Sequence, residues 1–161
     1  MTNPMNLKGR AILVTGAGQG IGKATAELAV ELGAKVALVD VNGDTLGAVA
    51  DAFGDNAKAY VGSVAEPGFV QGMVADVVRD LGAVHGLMNN AGIVRAAMIH
   101  KMPVETWQQV IDVNLTGVFL CLQEVGRHYM ERARDGDEAP GAIVNVSSIA
   151  GRRGTIGQIN Y

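Results

Sequence analysis

Five short apolar runs interrupt a chain that is otherwise patterned for helices. They are AILVT (Ala11 to Thr15), KVALVD (Lys35 to Asp40), AKAYVG (Ala57 to Gly62), VHGLMNN (Val84 to Asn90) and AIVNVSS (Ala142 to Ser148). Runs this short and this continuously apolar are expected of strands covered on both faces, and AKAYVG is the weakest of the five. Between the first two, Ile21, Ala24, Leu28 and Leu32 recur at helical spacing, and Gly33 stands where a helix C-terminus wants a glycine. The same reasoning predicts helices from Asp44 to Phe53, from Pro67 to Asp80, and from Pro103 to about Arg134, the last with an irregularity near Asn114 and Gly117. RDGDEAPG (Arg134 to Gly141) is a polar loop.

Strand and helix alternating in this way imply a parallel sheet, and right-handed crossovers wind it into a Rossmann-type doubly wound α/β fold. Strand order 3-2-1-4-5 puts a crevice between strands 1 and 4, at their carboxyl ends, where such folds bind ligands. A length of 161 residues fits one domain, residues 1–161, and 22 glycines with only 4% aromatics argue against an all-β sandwich. A net charge of −3 with both signs scattered leaves no basic footprint, so nucleic acid is not an expected partner. No apolar run approaches the ~18 residues that span a bilayer, and MTNPMNLKGR at the start lacks the apolar stretch of a secretory signal. The expectation is a cytoplasmic protein with no membrane partner. Cys121, the single cysteine, forms no internal disulfide and sits in VFLCL as a packing residue; His85, His100 and His128 show no metal-ligand spacing, so no metal is expected.

The chemistry starts at TGAGQGIG, Thr15 to Gly22. A dinucleotide pyrophosphate rests on a helix N-terminus, where unpaired N–H groups and the helix dipole favour negative charge and side chains would block the approach. The spacing departs from the usual G-x-G-x-x-G fingerprint, whose third glycine would fall at Ile21, and a Walker A loop fails because Ala17 and Ala24 stand at its first glycine and its hydroxyl residue. Taken alone, the motif is also compatible with a turn that only lets helix and strand pack closely. Asp40 ends the second strand twenty residues after Gly20, where a carboxylate accepts hydrogen bonds from the ribose hydroxyls of NAD. No basic residue follows in Val41, Asn42 and Gly43 to meet a 2′-phosphate, which favours NAD over NADP. A helix-capping or turn role is the alternative for Asp40.

With NNAG (Asn89 to Gly92), VNLTG around Asn114, and the Ser148 and Tyr161 pair thirteen residues apart, the chain resembles the short-chain dehydrogenase/reductase family along its whole length. Its wording is most similar to 3-oxoacyl-carrier-protein reductases and related NAD-dependent alcohol dehydrogenases. The resemblance implies that Gly16, Gln19 and Ile21 lie along the cofactor phosphates, that Gly20 and Gly22 of the same turn also belong to the cofactor site, and that Asn90, Ala91 and Gly92 pass its ribose. Where the family shows an aspartate reaching the adenine, this chain has Ser63, followed by Val64. Ser63 has a second reading, as the cap of the next helix with Glu66 completing a capping box.

The resemblance further implies a catalytic set of Asn114, Ser148 and Tyr161. Ser148 would hydrogen-bond the substrate oxygen, Tyr161 would exchange a proton with it, and Asn114 would hold a water feeding the proton relay. Asn114 is also readable as a polar group bonding backbone at a helix irregularity. A phenol titrates near ~10, and bringing it near neutrality requires roughly 4 kcal/mol of differential stabilisation, usually from a cation. The family's cation is a lysine four positions beyond the tyrosine, which here falls past the last residue. Arg152 and Arg153 are the nearest cations in sequence, in a setting that reads as solvated or substrate-facing.

The expectation is therefore the first part of a longer one-domain enzyme, an NAD-dependent oxidoreductase acting on a secondary alcohol or ketone of the 3-hydroxyacyl/3-oxoacyl kind. A catalytically silent NAD-binding domain is the alternative, and an ATP-handling enzyme a distant one. The resemblance also implies a homo-oligomer, dimer or tetramer, in which the apolar face of Val118 to Met130 serves either an interface or the core.

Overall fold

The computed structural model describes residues 5–161, so the first four residues of the stretch read as lacking a secretory signal lie outside the described residues. Five parallel strands, β1 (Ala11–Thr15), β2 (Lys35–Asp40), β3 (Ala57–Val61), β4 (Gly86–Asn89) and β5 (Ala142–Asn145), form one sheet in the order β3-β2-β1-β4-β5. Every neighbouring pair is parallel, with Leu13 opposite Ala37 on one side and Leu87 on the other. This is the expected order. The expected fourth and fifth strands were longer; β4 begins at Gly86 and β5 stops at Asn145 because the ladder between them runs only from Gly86–Ala142 to Asn89–Asn145.

The helices are α1 (Gly20–Glu31), α2 (Gly43–Phe53), α3 (Pro67–Leu81), α4 (Val104–Ile111), α5 (Gly117–Arg134) and the short α6 (Ala150–Arg153). The alternation of side chains along the central strands sends Val14, Val36 and Leu38 to one core and Leu13, Ala37 and Val39 to another. The first core is closed by Ala26 and Ala29 of α1 with Leu46 and Val49 of α2. The second is closed by Val70, Met73, Val74 and Val77 of α3 with Cys121 and Val125 of α5. A sheet with apolar side chains packed on both faces is what the continuous runs require. Cys121 is fully buried and its thiol is pushed up to about 12 by that burial, so it is a packing residue as expected. The Val118 to Met130 face divides in the same way: Cys121 and Val125 enter the core, while Phe119 and Met130 stay exposed.

Gly33 lies one residue past the α1 C-cap with φ +94, the left-handed conformation that ends helices. The expected irregularity is a π-helical turn, Asp112–Thr116, joining α4 to α5. The capping-box reading of Ser63 is corrected. Glu66 is the N-cap of α3 and Pro67 its first residue, so Ser63 stands three residues outside the helix, its hydroxyl accepting from Ala65 N at 3.2 Å.

The amino end of the sheet is tied by polar side chains. His85 Nδ1 accepts from Ala11 N at 3.0 Å, His128 Nε2 accepts from Val84 N at 3.1 Å, and the Arg132 guanidinium donates to Val84 O, Pro140 O and Asp137. Desolvation, with the positive charge of Arg132 nearby, lowers both histidines below their ordinary value.

Candidate functional site

At the opposite end, the carboxyl ends of β1 and β4 diverge and two cavities share the wall Asn90–Ala91–Gly92. The first, about 330 Å³, is bounded by Gly16, Gln19, Asp40, Val41, Gly62, Ser63 and Val64, together with Ile93 and Val113. The second, about 440 Å³, is bounded by Ile21, Val94, Asn114, Val118, Val146, Ser147, Ser148, Gly151 and Tyr161.

The glycine turn earns its composition position by position. A Cβ on Gly16 would come within 2.9 Å of Ala91 Cα, and one on Gly22 within 2.2 Å of Gly16 O. Gly20, at φ +56 with open space around it, is there for its left-handed backbone. Gly20 and Gly22 therefore shape the turn without lining either cavity. The N-cap of α1, Gln19, makes no side-chain cap, and no acidic residue stands in the first turn. The first N–H groups of α1 are thus left for an anion, whereas α2 is closed by Asn42, whose side chain accepts from Thr45 N at 3.1 Å.

Asp40 lies at the end of β2 on the wall of the first cavity. One carboxylate oxygen accepts from Gly18 N and the other from Asn42 N, each at 3.0 Å. Its turn reading therefore holds, since it organises the turn into α2, and its side chain also borders the first cavity. No lysine or arginine is on that cavity's wall, among the described residues.

Thr15, to which sequence reasoning assigned no role, supports the wall shared by the two cavities. Its buried hydroxyl accepts from Asn90 N and Ala91 N, both at 3.0 Å, and donates to Met88 O at 3.4 Å. Asn90 returns the contact, donating from Nδ2 to Thr15 O at 3.0 Å and Gly16 O at 3.2 Å. The shared wall is thereby bolted to the end of β1. The signal available was a hydroxyl closing an otherwise apolar strand. Beside it, buried Asn89 donates to Asn145 Oδ1 at 2.9 Å, aligning the ends of β4 and β5 and so the Val146–Ser148 segment.

Asn114, Ser148 and Tyr161, far apart in sequence, border the second cavity together. Asn114 sits in the π-helical turn, and its side chain is committed to Ile93: Oδ1 accepts from Ile93 N at 2.8 Å and Nδ2 donates to Ile93 O at 3.0 Å. Its reading as a backbone-bonding group at a helix irregularity thus holds. Ser148 precedes α6, and its hydroxyl accepts from Ala150 N at 3.2 Å, leaving the hydroxyl hydrogen to donate elsewhere. Tyr161 is 40% exposed. Arg152 and Arg153 are exposed on α6 and touch neither cavity wall.

Residues 10–161 match the family model described as short chain dehydrogenase. A 3-oxoacyl-acyl-carrier-protein reductase of Vibrio cholerae is 38% identical over 157 residues, covering 98% of this chain and 62% of the relative. Among solved structures, an NAD+-bound xylitol dehydrogenase superposes with a TM-score of 0.88 at 34% identity, covering 96% of this chain and 59% of that one. A 3-ketoacyl-acyl-carrier-protein reductase from Brucella melitensis, complexed with NADH, gives a TM-score of 0.89 at 31% identity, covering 96% and 63%. The chain thus spans about six tenths of the length of these relatives.

Proposed function

The chain belongs to the short-chain dehydrogenase family, and from that premise we propose that it is an oxidoreductase transferring a hydride between NAD(H) and a secondary alcohol or ketone, with 3-hydroxyacyl/3-oxoacyl compounds as its substrate class. The observation that carries this reading is the lining of the second cavity by Asn114, Ser148 and Tyr161 where it meets the glycine turn. When bound, a nicotinamide dinucleotide supplies or takes up the hydride. Gly16, Gln19 and Ile21, with the uncapped start of α1, would hold its pyrophosphate, and Asp40 would accept from its ribose hydroxyls. The adenine end would rest against Ser63 and Val64. A carboxylate with no cation on the same wall supports NAD over NADP. The NAD+ and NADH named with the two solved structures point the same way.

The side chains have separable tasks. Ser148 donates to the substrate oxygen, and Tyr161 gives that oxygen a proton during reduction or removes one during oxidation. Asn114, which borders the second cavity, holds Ile93 on the wall of the first, and the amide hydrogen not spent on Ile93 is what its side chain has to hold a water. Substrate specificity toward acyl compounds rests on the names of the relatives.

The test is cofactor turnover with a panel of 3-oxoacyl thioesters and simple ketones, alongside calorimetric titration with NADH and NADPH. Expected are tighter binding of NADH and a kcat loss of about 10²- to 10⁴-fold in Tyr161→Phe and Ser148→Ala with NADH affinity retained. NADH binding without turnover of any substrate in the panel would instead favour a silent dinucleotide-binding domain.

Exposed Trp107 of α4, Leu115 of the π-helical turn and Phe119 of α5 recur at multiples of four, an apolar stripe outside both cores. It supports a homo-oligomer built on these helices.

A further inference from the structure

Building on the reading in which Tyr161 handles the proton, we propose that its neighbour Asn160 is a positioning residue for that phenol. Asn160 is 5% exposed, one of three buried polar residues among those described. Its Nδ2 donates to Arg95 O at 2.9 Å and to Thr106 O at 3.3 Å. Those carbonyls belong to different parts of the molecule: Arg95 adjoins Val94 on the wall of the second cavity, and Thr106 is in the first turn of α4. A second tie joins the Arg95 stretch to the segment of Asn160 itself, since Ala97 N donates to Gly157 O at 2.8 Å. The turn is then closed by Tyr161 N donating to Gln158 O at 3.1 Å.

The segment that delivers Tyr161 is therefore held by the main-chain tie from Ala97 and by a single side-chain nitrogen, Asn160 Nδ2, which joins it both to the stretch beside Val94 and to the start of α4. Two donors at that reach are a property of asparagine. Serine offers one, aspartate at neutral pH none, and glutamine places its amide a methylene too far. Asn160 Oδ1, by contrast, is buried and accepts no hydrogen bond among the described residues. Buried acceptors left unpaired are costly and uncommon, so fold stability alone does not account for this side chain. What it secures is the relation between the phenol and the wall it works against, where displacement of a reacting group by about 1 Å costs on the order of 100-fold in rate.

The test compares Asn160→Ala, Asn160→Asp and Asn160→Ser below their unfolding temperatures. Expected is a kcat loss of about 10- to 100-fold in Asn160→Ala, NADH affinity within about twofold of the unsubstituted protein, and a displaced limb in the pH–rate profile. Asn160→Asp should be at least as damaging, because a carboxylate faces two carbonyl oxygens; a space-filling role gives the opposite order. Fluorotyrosine at 161, assigned by its loss in Tyr161→Phe, reads the ring's surroundings without turnover and should shift or broaden in the variants. A kcat within threefold, an equal loss of NADH affinity, an unmoved fluorine signal, or failure of all three variants to fold would each overturn the proposal. Absence of turnover in the unsubstituted protein would instead overturn the dehydrogenase reading, while the fluorine signal still decides the role of Asn160.

Discussion

Thr15→Val tests the bolt between β1 and the shared cavity wall. Valine keeps the shape of threonine and removes the oxygen that accepts from Asn90 N and Ala91 N at 3.0 Å. A donor sealed from water without a partner costs about 1–3 kcal/mol. Asn90 and Ala91 are half-buried rather than sealed, so the two together should cost about 2–3 kcal/mol. At roughly 2–4 °C per kcal/mol for a chain of this size, the melting temperature should fall by about 5–10 °C. Thr15→Ser is the control: it keeps the oxygen and loses one methyl group, worth about 1 kcal/mol. Urea unfolding of both variants, with NADH titration of each, is the assay. The valine variant should be less stable than the serine variant by at least about 1 kcal/mol and bind NADH about tenfold more weakly, because the wall it releases borders both cavities. Equal stability of the two variants would refute the claim that the hydroxyl, and not the packing of the side chain, holds the wall.

The same chemical change should have opposite signs at two other positions. Gly22→Ala, whose Cβ meets Gly16 O at 2.2 Å, should destabilise by about 1–3 kcal/mol or more and weaken NADH binding, whereas Gly47→Ala, in the interior of α2 with open space, should stabilise by about 1 kcal/mol, both read by urea midpoint. Acid should loosen the amino end of the sheet: His85 and His128 are lowered in the folded state, so their contribution is complete above about pH 7 and is lost as pH falls through the ordinary 6.5 toward their folded values. Unfolding midpoints between pH 7.5 and 5.5 should show this slope, and it should shrink in His128→Gln, whose amide oxygen can still accept from Val84 N. If the proposed homo-oligomer uses the exposed stripe, Phe119→Glu should give a smaller species in analytical ultracentrifugation with little change in monomer stability; an unchanged sedimentation coefficient would refute an interface on this stripe.

How much of this was readable in the sequence depended on the range of the interaction. Strands covered on both faces announce themselves in AILVT and KVALVD because burial leaves no polar position. Sheet order followed from connection rules, and the π-helical turn was foreshadowed by Asn114 and Gly117 within an otherwise helical pattern. Strand ends were less clear, since Val84 and Ser148 are excluded from β4 and β5 only by where the partner strand stops. Ser63 looked like a cap because Glu66 follows three residues later, but Pro67 takes the first helical position and moves the cap to Glu66. The cavity-bordering residues were found through their motifs. The contacts fixing them were not: Thr15 to Asn90, Asn89 to Asn145 and Asn160 to Arg95 each join residues more than fifty positions apart.

The double engagement of Asp40 constrains any attempt to redirect coenzyme preference. Exchanging this carboxylate for a basic or apolar group would also cut loose Gly18 N, and a side chain at position 18 is not open as a compensation without further change, because its Cβ would lie 2.7 Å from Thr45 Oγ1. On the proposed role of Asp40, selectivity and loop rigidity are thus inherited as one trait, and a redesign must rebuild positions 18, 40 and 45 together.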